Sequence, residues 1–151
     1  RNETYFGQNY KFTNRLSYFA ELIVARKLTD WLSLQVSGSF AHINRVDSLY
    51  EHDRFGISFS GRARISPQSS IVFNYGIPLT IEGIAEHKPM TDFPSDNFGI
   101  GWEIATSTHC FQIFVSSSTD LVPQYVMMTN RNDWTMGDLF FGFTITRLWS
   151  F

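Results

Sequence analysis

The chain has little cysteine, no long apolar run and almost no net charge. Its single cysteine, Cys110, excludes an intrachain disulfide and any metal site built from several cysteines. A run of about eighteen apolar residues, which a membrane-spanning helix needs, does not occur. The net charge of -2 gives no basic surface for nucleic acid, so we expect no nucleic-acid partner. Phosphate-binding glycine loops, nucleophile elbows and dinucleotide fingerprints are also missing, so we expect no cofactor and no enzymatic activity.

Aromatic residues are abundant instead, at 17% of 151 residues with 15 Phe, although the mean hydropathy is only -0.13. They occur in stretches of roughly ten residues in which apolar and polar side chains alternate, the pattern of transmembrane β-barrel strands. The clearest stretch is 54–65. One face of it carries Phe55, Ile57, Phe59, Ala63 and Ile65. The other face carries Arg54, Gly56, Ser58, Ser60, Arg62 and Arg64. Because successive strand side chains point to opposite faces, this predicts a sheet with one apolar and one polar surface.

The same alternation predicts seven strands in all. They are expected at 16–28, 31–43, 54–65, 70–81, 97–105, 109–118 and 138–151. Short turns near residues 29, 67 and 107 alternate with long connections at 44–53, 82–96 and 119–137. Outer-membrane barrels have this asymmetry, because their periplasmic turns are tight and their extracellular loops are long. We therefore predict an all-β, antiparallel up-and-down transmembrane β-barrel in the bacterial outer membrane, as a single domain over residues 1–151.

Both ends of the chain carry further expectations. Residues 1–12 are expected to supply the end of an eighth strand, and about eight strands suffice for a barrel with a packed interior. The chain begins at Arg1 without a signal peptide, so we expect a mature or partial chain, the C-terminal part of a larger barrel. At the other end, Trp149 and Phe151 resemble the signal that the barrel assembly machinery reads. The alternative for these two residues is an ordinary edge strand that ends in Phe.

Three segments of the chain carry a family resemblance. The first is Ala20-Glu21-Leu22-Ile23-Val24-Ala25-Arg26-Lys27 with Leu32-Ser33-Leu34-Gln35. The second is Glu51-His52-Asp53-Arg54-Phe55-Gly56-Ile57, and the third is 130–134 followed by 137–147. Together they resemble an uncharacterised β-barrel family of Bacteroidota outer membranes, and the resemblance covers most of the chain in matching order. It implies the fold and the membrane location, but it supplies no activity and no catalytic residues, and the family members are longer at the N-terminus.

Charged and amide side chains on the polar face are the main candidate functional residues. They are Glu21, Arg54, Arg62, Arg64, Asn74, Glu103 and Gln112. In a narrow barrel, opposite charges pair and fill the lumen, whereas in a wider barrel they line a pore and set its ion preference. Pairing is the default, because an unpaired buried charge is costly. Phe19, Phe114 and Phe140 also fall on the polar face, which favours a blocked interior.

The last long connection contains a distinctive group, Asp133, Trp134 and Asp138. It is interpreted either as a tight turn in which Asp side chains bond to backbone amides, or as a loop that caps the barrel or contacts a partner. Tyr18, Trp31, Trp102 and Trp149 are expected to form aromatic belts at the membrane interfaces. His42, His52 and His87 lie near the long connections, but metal sites need three or four converging ligands, so we expect no metal.

Three functional hypotheses remain open. The leading one is a non-enzymatic outer-membrane barrel that acts as an accessory or structural subunit of an envelope complex. Its partners would be the lipid bilayer, the barrel assembly machinery and other outer-membrane proteins. The first alternative is a small pore for ions or small solutes. The second is a soluble, lipocalin-like ligand-binding calyx, in which the apolar face would point inward.

Overall fold

A computed structural model of the chain describes residues 16–44, 51–79, 93–120 and 122–147. These residues form seven strands, one short helix and a 3-10 turn. The elements are β1 (Ser17–Lys27), β2 (Leu32–Ile43), β3 (Asp53–Ser66), β4 (Ser69–Leu79), β5 (Asn97–Ala105), β6 (His109–Ser116), α1 (Pro123–Thr129), the 3-10 turn Trp134–Met136 and β7 (Phe140–Arg147). All seven predicted strands are therefore present, with ends close to the predicted ones. No described helix has the length and apolar character needed to cross a membrane.

The strands form one antiparallel sheet in which each strand pairs with its neighbour in sequence, in the order β1 to β7. This confirms the all-β, up-and-down arrangement. The connections β1–β2, β3–β4 and β5–β6 are the short ones, so they lie together at one end of the sheet, which we call the short-turn end. The other end is called the long-connection end. Among the described residues the sheet is not closed, and the expected eighth strand at residues 1–12 lies outside them.

The strand register keeps one type of side chain on each face across the whole sheet. On one face, Val24 pairs with Val36, Val36 with Phe59, and Phe59 with Tyr75. We call this apolar surface the outer face. It is solvent-exposed in the isolated chain, and Leu22 retains 75% of its accessible surface. On the opposite, inner face, most of the side chains are small or polar.

The inner face is the side on which the few buried residues lie. Ser37 and Arg54 are each only 2% exposed, and Asn97 is 7% exposed. Such burial of polar groups beneath an exposed apolar surface reverses the arrangement of a soluble domain, where apolar side chains fill the core. It also reverses the arrangement of a lipid-binding calyx, which would enclose its apolar face. The polar side of this sheet therefore faces the interior.

Two cross-strand pairs of glycine and phenylalanine contribute to the sheet. Gly61 on β3 pairs with Phe73 on the outer face, and Gly142 on β7 pairs with Phe114 on the inner face. A Cβ added to either glycine would lie within 3.0 Å of the partner's ring. Each ring therefore covers the backbone of its glycine, an arrangement that stabilises glycines in strands. As a result, Phe114 lies along the inner wall.

Candidate functional site

The helix α1 lies on the inner face at the long-connection end of the sheet. Its Met127 and Met128 are buried and pack against Ala41 and Ile43 of β2. Pro123 at the start of the helix provides a backbone already suited to the first turn. The sequence pattern places this segment in a long connection, 119–137. The helix escaped prediction because it has seven residues and no side-chain cap at its N-terminus, so both the periodicity and the capping signal are weak.

Polar contacts fix the position of α1 against β2 and β5. The Ser39 hydroxyl donates to Met127 Sδ over 3.2 Å. The Asn97 side-chain amide donates to the backbone oxygen of Val126 over 3.2 Å, and Asn130 Nδ2 donates to Asn97 Oδ1 over 2.8 Å. Gly56 lies opposite Met127 and leaves room for its thioether, because a Cβ at this position would lie within 3.0 Å of Sδ. The strands thus form a surface that is complementary to the helix, and we call this surface the seat of α1.

Hydroxyl and carboxylate groups form a lateral chain across the inner face of β1, β2 and β3. The Ser37 hydroxyl lies 2.6 Å from Glu21 Oε1 and also 2.6 Å from the Ser58 hydroxyl. On the next pair of strands, Asn74 Nδ2 donates to the Ser60 hydroxyl over 2.8 Å. Glu21 is therefore held by a serine rather than by one of the predicted arginines.

The arginines of the inner face lie in different environments. Arg62 Nη2 lies 2.5 Å from Glu103 Oε1, an ion pair that reaches from β3 to β5 across β4. Arg54 lies 3.6 Å from Glu51, and both side chains are buried at the long-connection end. Arg64 is exposed at the short-turn end. Two of the three predicted arginines thus face carboxylates, and Glu51, the partner of Arg54, was not among the predicted network residues.

A groove of about 550 Å³ remains on the inner face between α1 and the short-turn end. Apolar groups, including the Phe114 ring, provide most of its lining, and the amides of Gln35, Asn74 and Gln112 also contribute. Gln112 Oε1 accepts a hydrogen bond from the Thr144 hydroxyl at 3.5 Å. A second cavity of about 280 Å³ lies between the strands and the underside of α1. The inner face is therefore partly filled, with space left beside the helix.

The connection between α1 and β7 continues from the inner face over the rim to the outer face. Asn130 bonds to Asn97 on the inner side, whereas the Trp134 ring lies against Phe98 on the outer face, with 5.3 Å between the ring centroids. The connection then enters β7 on the far side of β6. One segment of chain therefore contacts both surfaces of the sheet, which the sequence pattern alone did not indicate.

Two aspartates shape the turn around Trp134. Asp133 Oδ1 accepts from the Thr135 amide at 2.8 Å and from the Thr135 hydroxyl at 2.6 Å. These hydrogen bonds hold the pKa of the Asp133 carboxyl below its ordinary value, because they favour the charged form. Asp138 accepts from the Asp133 amide at 3.2 Å, and Gly137 adopts a φ of 94°, which favours glycine. Both carboxylates thus bond to backbone amides within the turn.

The histidines considered as metal ligands and the predicted assembly signal are the remaining candidates. His42 Nδ1 lies 2.6 Å from Asp53 Oδ1, and its other nitrogen lies 2.9 Å from Asn44 Oδ1. Within the described ranges, no three histidine, cysteine or acidic side chains are grouped so as to hold a metal ion. His87 lies outside the described residues. The predicted assembly signal, Trp149 and Phe151, lies outside them as well.

A comparison with protein families agrees with this architecture. The family model described as a membrane-bound β-barrel domain (DUF5777) matches residues 1–149. Neither a curated protein nor a solved structure gives a significant match.

Proposed function

Because the chain belongs to the DUF5777 family of membrane-bound β-barrel domains, we propose that it is a plugged barrel of a Bacteroidota-type outer membrane. In this proposal it is not an enzyme. It acts as an accessory or structural subunit of an envelope complex. Its partners are the lipid bilayer, other outer-membrane proteins, and the barrel assembly machinery, which would read Trp149 and Phe151. The observation that carries the proposal is the seating of α1 on the inner face.

The exposed outer face supports the membrane-spanning part of the proposal. Side chains such as Val24, Phe141 and Ile145 keep more than half of their surface exposed in the isolated chain. A continuous apolar surface of this kind is a liability in water and is stable against lipid chains. The Trp102 side chain lies on this exposed surface, between Ile71 and Ile113, and Trp31 is exposed in the turn before β2, which is compatible with an interfacial belt at this end.

The contacts of the inner face support a blocked lumen. Met127 and Met128 fill the space above Ala41, and the buried Asn97–Asn130 pair satisfies polar groups that an open channel would hydrate. Seating apolar thioethers against the wall gives the helix a preferred position, because apolar burial stabilises it there. A barrel with such a filling is suited to a structural role rather than to rapid diffusion of solutes.

The groove of about 550 Å³ favours a second candidate, a small pore for ions or small solutes. Its lining includes three neutral amides and Arg62, the partner of Glu103, which is compatible with a hydrated path past α1. Such a pore would owe its ion preference to the inner-face charges. Replacing Arg62 and Arg64 by Glu would then reverse that preference.

The first experiment isolates the tagged full-length protein from outer membranes in mild detergent and identifies co-purifying proteins by mass spectrometry. Stoichiometric envelope partners are the expected result for a subunit. The purified protein is then placed in planar bilayers, where the plugged barrel is expected to give no steady conductance. Steady, voltage-independent conductance from the pure protein would overturn the plugged barrel and favour the pore. Recovery in the soluble fraction would overturn both.

A matched variant tests whether α1 is the plug. Residues 123–129 are replaced by a glycine-serine linker of equal length, and residues 118–120, which follow β6 in the same connection, are replaced in the same way as a control for loop disruption. The first variant is expected to conduct ions and the second is not. If both variants remain closed while retaining the heat-modifiable migration of a folded barrel, α1 does not block the lumen.

A further inference from the structure

We infer that residues 133–139 form a membrane-interface anchor on the outside of the barrel. In this arrangement the Trp134 and Met136 side chains lie among the lipid head groups at the long-connection end. The inference rests on the proposed membrane-spanning orientation, and it assigns the exposed turn to lipid rather than to water or to a protein.

The position of the turn is the first argument. Trp134 lies on Phe98, and Phe98 pairs with Tyr75 on the outer face. Phe98 is the second residue of β5, so it lies at the long-connection end of that strand. The turn therefore continues the apolar outer face upward, to the edge of an apolar band that is roughly 25 Å tall in such barrels. A surface continuous with the lipid-facing strands meets the same bilayer.

The composition and rigidity of the turn are the second argument. Met136 is 82% exposed, and Leu139 and Trp134 are also exposed, so three apolar side chains project from seven residues. The hydrogen bond from the Thr135 amide to Asp133 and the left-handed conformation of Gly137 fix the turn, so that these side chains project outward. Apolar side chains beside polar caps and a Trp ring are what the interfacial zone accommodates, since the ring is amphipathic.

The test measures the depth of single tryptophans in reconstituted phosphatidylcholine vesicles. One variant keeps only Trp134, and the control variant keeps only Trp102, with the other tryptophans changed to Phe. Brominated lipids quench nearby tryptophan, and their bromines can be placed near the head group or near the chain ends. Trp134 emission is expected to fall most with bromines near the head group. Trp102 emission is expected to fall with head-group bromines as well, since this side chain is assigned to the aromatic belt near the short-turn end, and it therefore reports whether the sheet lies in the bilayer.

The outcomes separate this inference from the membrane-spanning proposal. If Trp102 is quenched by lipid and Trp134 is quenched only by an aqueous quencher, the anchor is wrong and the barrel stands. If Trp134 is protected from both quenchers, it contacts protein, and the anchor is again wrong. If neither tryptophan is quenched by lipid, both proposals fall.

A charge substitution in the variant that keeps only Trp134 provides a second readout. Met136→Asp is expected to reduce the lipid quenching of Trp134 and to increase its aqueous quenching, because a carboxylate leaves the apolar zone. Thr119→Asp adds the same charge to the same connection, at an exposed position before α1, and is expected to change neither value. Equal quenching in the two variants would overturn the anchor.

Discussion

The seat of α1 leads to a quantitative prediction at Gly56. Replacing this glycine by alanine places a Cβ within 3.0 Å of Met127 Sδ, so the thioether must move out of its seat. Overfilling a packed site costs typically about 1–3 kcal/mol. Full burial of one methionine contributes roughly 1.5–3 kcal/mol, so this cost is a large share of what holds a helix with two buried methionines. The backbone of β3 need not move, because the clashing atom belongs to a flexible side chain.

The measurement is hydrogen exchange of the α1 amides, followed by mass spectrometry on the detergent-purified protein. Since about 1.4 kcal/mol corresponds to a factor of ten, Gly56→Ala is expected to accelerate exchange across residues 123–129 roughly fivefold to a hundredfold. The strands are expected to keep their protection. Increased exchange of the strands as well would indicate loss of the fold rather than release of the helix.

Gly76 provides the matched control for this prediction. It also lies on the inner face, on β4, but a Cβ there would meet its nearest neighbour, Asn97 Cβ, at 3.6 Å, an ordinary contact. Any general effect of alanine on a strand glycine is shared by both variants. The α1 amides are therefore expected to exchange at the original rate in Gly76→Ala. If the two variants accelerate exchange equally, Gly56 is not the seat of Met127 and the reasoning is refuted.

Three further predictions concern the faces, the ion pair and the turn. Phe143→Arg is expected to destabilise the barrel in lipid by roughly 2–4 kcal/mol, whereas Thr144→Arg on the inner face has little effect, as urea unfolding in vesicles would measure; equal losses would contradict the assignment of faces. Arg62→Glu is expected to lower stability by about 0.2–1 kcal/mol, because the arginine is half exposed, and the added Glu103→Arg change should restore it in the same assay. The charged Asp133 carboxyl stabilises the turn fully above its ordinary pKa of 3.8. This stabilisation is lost as the pH falls through the lower pKa that the carboxyl has in the folded protein. Trp134 emission is therefore expected to change only in strong acid, and Asp133→Asn should abolish the change.

The strands were predictable because alternation is a local property of the sequence. In 54–65 every second residue is apolar, and the register places these residues beside apolar residues of β2 and β4. The turns at Asp30 and Pro67 were predictable for a similar reason, since their residue types favour tight reversals. Local patterns therefore account for the sheet, for its two faces and for the difference in connection length between its two ends.

The filling of the interior was not predictable in the same way. The partner of Arg62 lies 41 residues away and two strands over, and alternation carries no signal for such a pair. No sequence pattern marks Asn97 and Asn130 as a buried pair. Gly56 resembles any other small residue of the polar face, and only the structure shows that Met127 lies opposite it. These contacts depend on how the sheet curves and where the connection folds back, which are properties of the whole chain.

The uniform register of the sheet limits how the length of this sequence can vary. Adding or removing one residue within β2 would exchange the two faces for the rest of that strand. Side chains that face lipid would then face the lumen, and those that face the lumen would face lipid. An addition of two residues keeps the faces but displaces the strand by one full pleat against its neighbours. Relatives of this chain should therefore differ in length at 44–53, 82–96 and 119–137, while the spacing within strands stays constant. An alignment of such sequences would show gaps at one end of the barrel and almost none at the other.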